Sequence, residues 1–144
     1  MTGVFLQARI NSQRLPRKVL LPVAGKPLLQ HAMESLRMVS ADVYAVLTDE
    51  DSRHELEPVC RAAGFQVFVG DPDDVLKRYI DAARHFEVSR ILRATGDNPL
   101  VSFEIARASI RLAEEHNSDY AGYIHPPYGT AVEVFRTSAL MQAH

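Results

Sequence analysis

Residues 7–27 read Gln7-Ala8-Arg9-Ile10-Asn11-Ser12-Gln13-Arg14-Leu15-Pro16-Arg17-Lys18-Val19-Leu20-Leu21-Pro22-Val23-Ala24-Gly25-Lys26-Pro27. The apolar run Val4-Phe5-Leu6 before them reads as a buried strand, and a helical pattern begins after them at Leu28. Between strand and helix, three prolines and a glycine describe a turn-rich loop. Arg9, Arg14, Arg17, Lys18 and Lys26 crowd into it, and the first acid of the chain is Glu34. The whole chain has 16 basic and 18 acidic residues, so the part that follows is strongly acidic while its opening is wholly basic. That separation of charge calls for an anion.

The place matters as much as the charge. Open α/β sheets hold ligands beyond the carboxyl ends of their strands, and a loop leaving a first parallel strand lies there. Arginines and lysines gathered at such a place match a phosphate chain, by bidentate hydrogen bonds and by point charge. The expected ligand is therefore a nucleoside triphosphate. Two familiar phosphate loops are excluded. A dinucleotide turn needs glycines just after the strand, where Ala8, Ile10 and Ser12 stand, and in a Walker loop Gly25-Lys26 would continue with Ser or Thr rather than Pro27. Side chains must build the cradle.

Downstream, short apolar runs alternate with helical patterns. Val43–Leu47, Gln66–Val69 and Ser89–Ala94 read as strands, with Asp119–Ile124 as a more polar strand near an edge and Val132–Phe135 as another. Helices are expected from Leu28 to about Val39, from a cap at Asp51-Ser52 to about Ala63 with Gly64 as stop, and from a cap at Asp71 with Pro72 in the first turn. A further helix runs from Ser102 to about His116 with Ile105, Ala108, Leu112 and Ala113 inward, and one begins at Thr137. His125–Gly129 must be loop, since its two prolines remove backbone donors. The alternation predicts one three-layer, Rossmann-like α/β domain over residues 1–144 with a mostly parallel sheet. Its 47% hydrophobic content is enough for one core.

The run Thr95-Gly96-Asp97-Asn98-Pro99 leaves the fourth strand at the same sheet edge as the cationic loop. Asp97 there reads either as a turn residue bonding its own backbone or as a carboxylate presented to magnesium. Asp74 reads as a helix-start acid favoured by the dipole, and Arg78, one turn later, as its ion-pair partner. Glu133 in an alternating strand reads as solvent-facing, Arg17 as exposed, His31 as a helix-surface residue and Cys60 as a buried one. A single cysteine excludes an internal disulfide. The balanced net charge of -2 argues against a nucleic-acid partner. No run approaches the length of a spanning helix and no leader pattern opens the chain, so a cytoplasmic protein is expected.

At Ala8-Arg9, Ser12, Arg14-Leu15-Pro16, Lys18 and Gly25-Lys26-Pro27-Leu28 the chain resembles the sugar nucleotidyltransferases that activate acidic sugars with CTP. The resemblance is to the acylneuraminate cytidylyltransferases, in particular their spore coat polysaccharide biosynthesis protein F branch. It continues through Asp74-Val75-Leu76, Arg78-Tyr79, Thr95–Pro99 and Glu133-Val134-Phe135. It implies a nucleotidyltransferase fold and transfer of CMP from CTP to a sugar with release of diphosphate. Arg9, Lys18 and Asp97 would be catalytic. Ala8, Asn11, Ser12, Arg14, Lys26 and Asp74 would join Arg9 and Lys18 at the nucleotide, and Tyr128, Gly129 and Glu133 would meet the sugar. Asp97 would bind Mg2+. By the same resemblance a second metal aspartate comes from a later region, so the domain is expected to be C-terminally incomplete, and a homodimer is compatible with it. A nucleotide- or phosphosugar-binding module without turnover, and an inactive fragment, are the rival expectations.

Overall fold

The computed structural model describes residues 1–144. Strand β1 (Thr2–Gln7) is followed by the cationic loop, a single 3-10 turn at Lys18–Leu20, and a small ribbon of β2 (Pro22–Val23) and β3 (Lys26–Pro27). Then come α1 (Leu28–Leu36), β4 (Val43–Thr48), α2 (Glu50–Ala62), β5 (Gln66–Val69), α3 (Val75–His85) and β6 (Arg90–Thr95). The chain continues through α4 (Phe103–Glu115), β7 (Tyr120–Gly122), β8 (Glu133–Arg136) and α5 (Thr137–Ala143).

Six strands make one sheet in the order β5-β4-β1-β6-β8-β7. The first four are mutually parallel, and β8 runs antiparallel to both β6 and β7. The strand order reverses between β1 and β6, which opens a crevice beyond their carboxyl ends. Successive β1 residues face opposite sides, and each side has its own core. Val4 and Leu6 pack with Leu29, Met33 and Leu36 of α1, Leu56 and Cys60 of α2, and Ala106 and Ala113 of α4. Phe5 packs with Tyr79, Ala82 and Ala83 of α3, with Leu140 of α5 against that cluster. The expected three-layer α/β fold with a mostly parallel sheet is the one observed.

Local readings needed correction where a cap or a helix face was at stake. Helix α1 stops at Leu36, with Val39 buried beyond it, and Pro27 is its N-cap. The cap of α2 is Asp49, which accepts from the Ser52 amide, because Ser52 is already inside the helix. Asp71 caps only a turn, accepting from the amides of Asp73 and Asp74; Asp74 caps α3 by accepting from Lys77 N. Arg78 forms no pair with Asp74. It is 1% exposed and donates to the carbonyls of Asp71 and Pro72, which tie the turn to the helix. In α4 the buried face is Ala106, Ser109 and Ala113, while Leu112 is exposed: the small residues allow close approach to the sheet.

Candidate functional site

The ends of β1 and β6 are locked together at the crevice. Gly96 N donates to Gln7 O at 2.7 Å, and Ala8 N donates to Leu47 O at 3.1 Å on the other flank. A side chain at Gly96 would meet Leu29 Cδ1 at 2.6 Å and Ala8 Cβ at 2.9 Å, so only glycine permits this approach. The loop leaving β1 is held by distant elements. Ile10 N donates to Ser52 Oγ of α2 at 3.0 Å, and Arg17 N donates back to Ile10 O at 2.8 Å. Arg17 itself adopts φ 60°, which turns the chain so that Lys18 enters the 3-10 turn.

This scaffold encloses a cavity of about 470 Å3 lined by Gln7, Ala8, Arg9, Ser12, Gln13, Arg14, Leu15, Lys18, Arg93, Thr95 and Asp97. The five cations of the opening loop are sorted by it. Arg9 and Arg14 line the cavity and make no ion pair. Lys18 Nζ donates to Asp97 Oδ2 at 2.7 Å across the crevice. Arg17 points away to Glu55 and is 59% exposed. Lys26, expected at the loop or the phosphates, lies on the ribbon and pairs with Glu34 at 2.6 Å, outside the cavity.

Asp97 sits in a turn closed by its neighbour: Asn98 N donates to Thr95 O at 3.2 Å and Asn98 Nδ2 to Thr95 Oγ1 at 2.9 Å. The Asp97 carboxylate is therefore free to face the loop. Partial burial pushes its pKa up, but hydrogen bonds from Lys18 and Thr95 outweigh that and hold it below the usual carboxylate value. It is charged at neutral pH.

Other expected residues lie around this centre. Ser12 Oγ accepts from Leu15 N at 3.5 Å. Asn11 lines a neighbouring cavity of about 340 Å3 with Arg9, Asp49, Glu50, Asp51, Val69, Gly70, Pro72 and Asp73. Asp74 stands outside both, held as a cap and bonded to His144 at 3.0 Å. Its pKa is lowered first by the Lys77 amide and then by His144. Tyr128 is 101% exposed in the loop between β7 and β8, and Gly129 in that loop has φ +81° with Asn98 Oδ1 nearby. Glu133 does not face open solvent; it pairs with Arg93 on the adjacent strand and accepts from Tyr120 Oη at 3.3 Å.

Arg93 and the glutamines Gln7 and Gln13 were not foreseen. Arg93 had a signal. It is a cation inside the otherwise apolar run Ile91-Leu92-Arg93-Ala94 of a central strand, where parallel sheets are normally apolar on both faces. No group of three or more His, Cys, Asp or Glu side chains stands close enough to hold a metal by itself. A magnesium ion commonly takes one or two carboxylates and fills its shell with phosphate oxygens and water, and Asp97 beside a cationic cavity suits that donor set.

A family model described as Cytidylyltransferase matches residues 4–144. The chain is 32% identical over 143 residues to spore coat polysaccharide biosynthesis protein SpsF of Bacillus subtilis, covering 95% of this chain and 60% of that protein. It is 35% identical over 107 residues to a 3-deoxy-manno-octulosonate cytidylyltransferase of Marinobacter nauticus, covering 71% of this chain and 40% of the relative. Among solved structures, a cytidylyltransferase from Leptospira borgpetersenii superposes with a TM-score of 0.90 at 29% identity, over 98% of this chain and 62% of that one. The chain thus spans about three-fifths or less of the relatives it matches.

Proposed function

The chain belongs to the cytidylyltransferase family, and from that premise we propose that it takes part in transfer of CMP from CTP to a sugar, in the synthesis of precursors for a surface polysaccharide or glycan. The observation that carries the reading is the cavity where the sheet order reverses, with unpaired Arg9 and Arg14 and the Lys18–Asp97 pair on its walls. Arg9, Arg14 and Lys18 hold the triphosphate, and Ser12, Gln13 and the Ala8 backbone close around it. The adjoining cavity, which Arg9 and Asn11 share, receives the nucleoside. Tyr128, Gly129 and Glu133 lie on the side from which the sugar approaches.

In the reaction a sugar hydroxyl oxygen forms a bond to the α-phosphorus. The bond from that phosphorus to the bridging oxygen breaks, diphosphate leaves with the electron pair, and the hydroxyl proton passes to water. The protein's task is to align these atoms and to neutralise the charge that grows on the leaving diphosphate. Lys18 does the latter by turning from Asp97 to phosphate oxygens. Asp97 would hold magnesium with those oxygens, and the metal would supply charge neutralisation there. The free, buried thiol of Cys60 and the need for CTP support a cytoplasmic location. No helix of the chain is long and apolar enough to cross a membrane.

Titration with CTP, with and without magnesium, followed by a diphosphate-release assay over a panel of acidic sugars, tests the reading. Tight magnesium-dependent CTP binding and release with one sugar are expected; absence of CTP binding overturns it. Asp97→Asn should bind CTP with no response to magnesium. A second reading is favoured by Asp97 being the one carboxylate on the cavity wall: a nucleotide-binding module without turnover. Binding with no diphosphate release under any acceptor selects that reading.

A further inference from the structure

Arg93 lines three cavities at once. It faces the phosphate cavity together with Arg9, Arg14 and Lys18. It also lines a cavity of about 280 Å3 with Asn98, Tyr120, Tyr123 and Glu133, and one of about 370 Å3 with Val75, Tyr79, Phe135 and Leu140. The first of these cavities is cationic, while the other two lie toward β7, β8 and α5 and carry no cation except Arg93.

The side chain is held unusually firmly for a cation at a cavity wall. It rises from the centre of β6, opposite Phe5 of β1, so its backbone is fixed by pairing on both sides. Its guanidinium pairs with Glu133 on β8 and lies over the Tyr79 ring, 5.9 Å from the centroid. Glu133 is in turn bonded by Tyr120 Oη. One carboxylate leaves most of a guanidinium fork unused, since its donors outnumber the oxygens offered.

Resting on the cytidylyl-transfer reading above, we infer that Arg93 is a further catalytic residue, the cation that contacts the α-phosphate, with Glu133 as the positioning residue that aims it. The argument is one of place. The reacting phosphorus must stand where the nucleotide cavity meets the space from which the acceptor comes, because bond making and bond breaking occur on its opposite sides. Arg93 occupies that junction, on the wall shared with the two cavities toward β7, β8 and α5, whereas Arg9 lies on the side of the nucleoside cavity and Arg14 and Lys18 line the phosphate cavity alone. A planar, permanently charged fork suits two non-bridging phosphate oxygens, whose charge it offsets as the acceptor oxygen approaches. The glutamate keeps the fork from folding away before the nucleotide arrives.

The test compares CMP and CTP binding by calorimetry, because CMP carries only the α-phosphate. Arg93→Met should weaken CMP and CTP alike, about tenfold to a hundredfold for loss of a charge-assisted contact. Lys18→Ala should weaken CTP and leave CMP nearly unchanged. Glu133→Leu should lower CMP affinity, and Glu133→Gln, which still offers an oxygen to the guanidinium, should restore it. Should Arg93→Met fail to fold by circular dichroism, Arg93→Lys decides: it keeps the charge and loses the fork, and a several-fold weaker CMP affinity is expected. Normal CMP binding by a folded Arg93 variant overturns the inference while leaving the CTP reading intact. A wild-type chain that binds neither nucleotide overturns both.

Discussion

Two loops at the same edge of the sheet are built on opposite plans. The loop after β1 is tied to remote parts of the chain: to α2 through Ile10 N and Ser52 Oγ, to α2 again through Arg17 and Glu55, and to the β6 turn through Lys18 and Asp97. The loop between β7 and β8 is mostly tied to itself, with Thr130 N and Thr130 Oγ1 both bonded to Pro127 O, and it leaves Ile124 and Tyr128 exposed. Its one remote backbone bond is Ser102 N to Thr130 O at 3.2 Å. A site for a highly charged ligand gains from donors fixed in advance, because they need no reordering when the charge arrives. The first loop has that construction. The second keeps few ties to the rest of the chain and presents exposed side chains.

The largest effect should come from stripping the prebuilt loop of its cations. Arg9→Ala or Lys18→Ala should each weaken CTP binding by about 1.5 to 3 kcal/mol, with the melting temperature little changed, since exposed cations contribute little to folding. Calorimetry beside thermal denaturation would show it; a melting temperature that falls along with binding would mean the loop cations are structural.

Gly96→Ala attacks the contact beneath that loop. The added methyl collides with Leu29, Ala8 and, at 3.2 Å, the Gln7 carbonyl, two of them in the buried core. A loss of about 1 to 3 kcal/mol in denaturant-measured stability is expected.

Ser52→Ala removes the acceptor for Ile10 N while leaving the cations of the cavity in place. Ser52 is fully buried, so the amide has no ready substitute, and a cost of about 1 to 2 kcal/mol follows. CTP affinity should drop as well, because the loop loses its anchor on α2. Unchanged affinity would show that the anchor on α2 is dispensable.

Smaller still is the pH effect of the Lys18–Asp97 pair. The folded pKa of Asp97 lies below its unfolded value, so the pair's stabilisation is present above the unfolded value of about 3.9 and is lost as pH falls through the lower folded value. Both side chains are more than a third exposed, 35% and 41%, so the contribution is under about 1 kcal/mol. Urea unfolding of the chain and of Asp97→Asn should converge as pH falls through that window. In the self-tied loop, Tyr128→Ala should leave the melting temperature unmoved and change only the acceptor's KM.

The alternation of apolar runs and helical patterns made the layers readable from residue types, because burial on both faces of a parallel strand demands continuous apolar runs such as Val43–Leu47. The cationic edge was readable too, since five cations stand before the first acid. Local order could not say which of the five line the cavity. That was decided by partners far away in sequence or on the following helix: Glu55 and Glu34 draw Arg17 and Lys26 aside, Asp97 holds Lys18 at the crevice, and Arg9 and Arg14 are left open. The place of Arg93 in an apolar run marked it as unusual, but its partners, Glu133 on the adjacent strand and Tyr79 on a helix, were settled only by the fold. Hydrophobic burial follows patterns within one segment and shows in sequence. Charge pairing is settled by which segments meet, and only the folded chain brings them together.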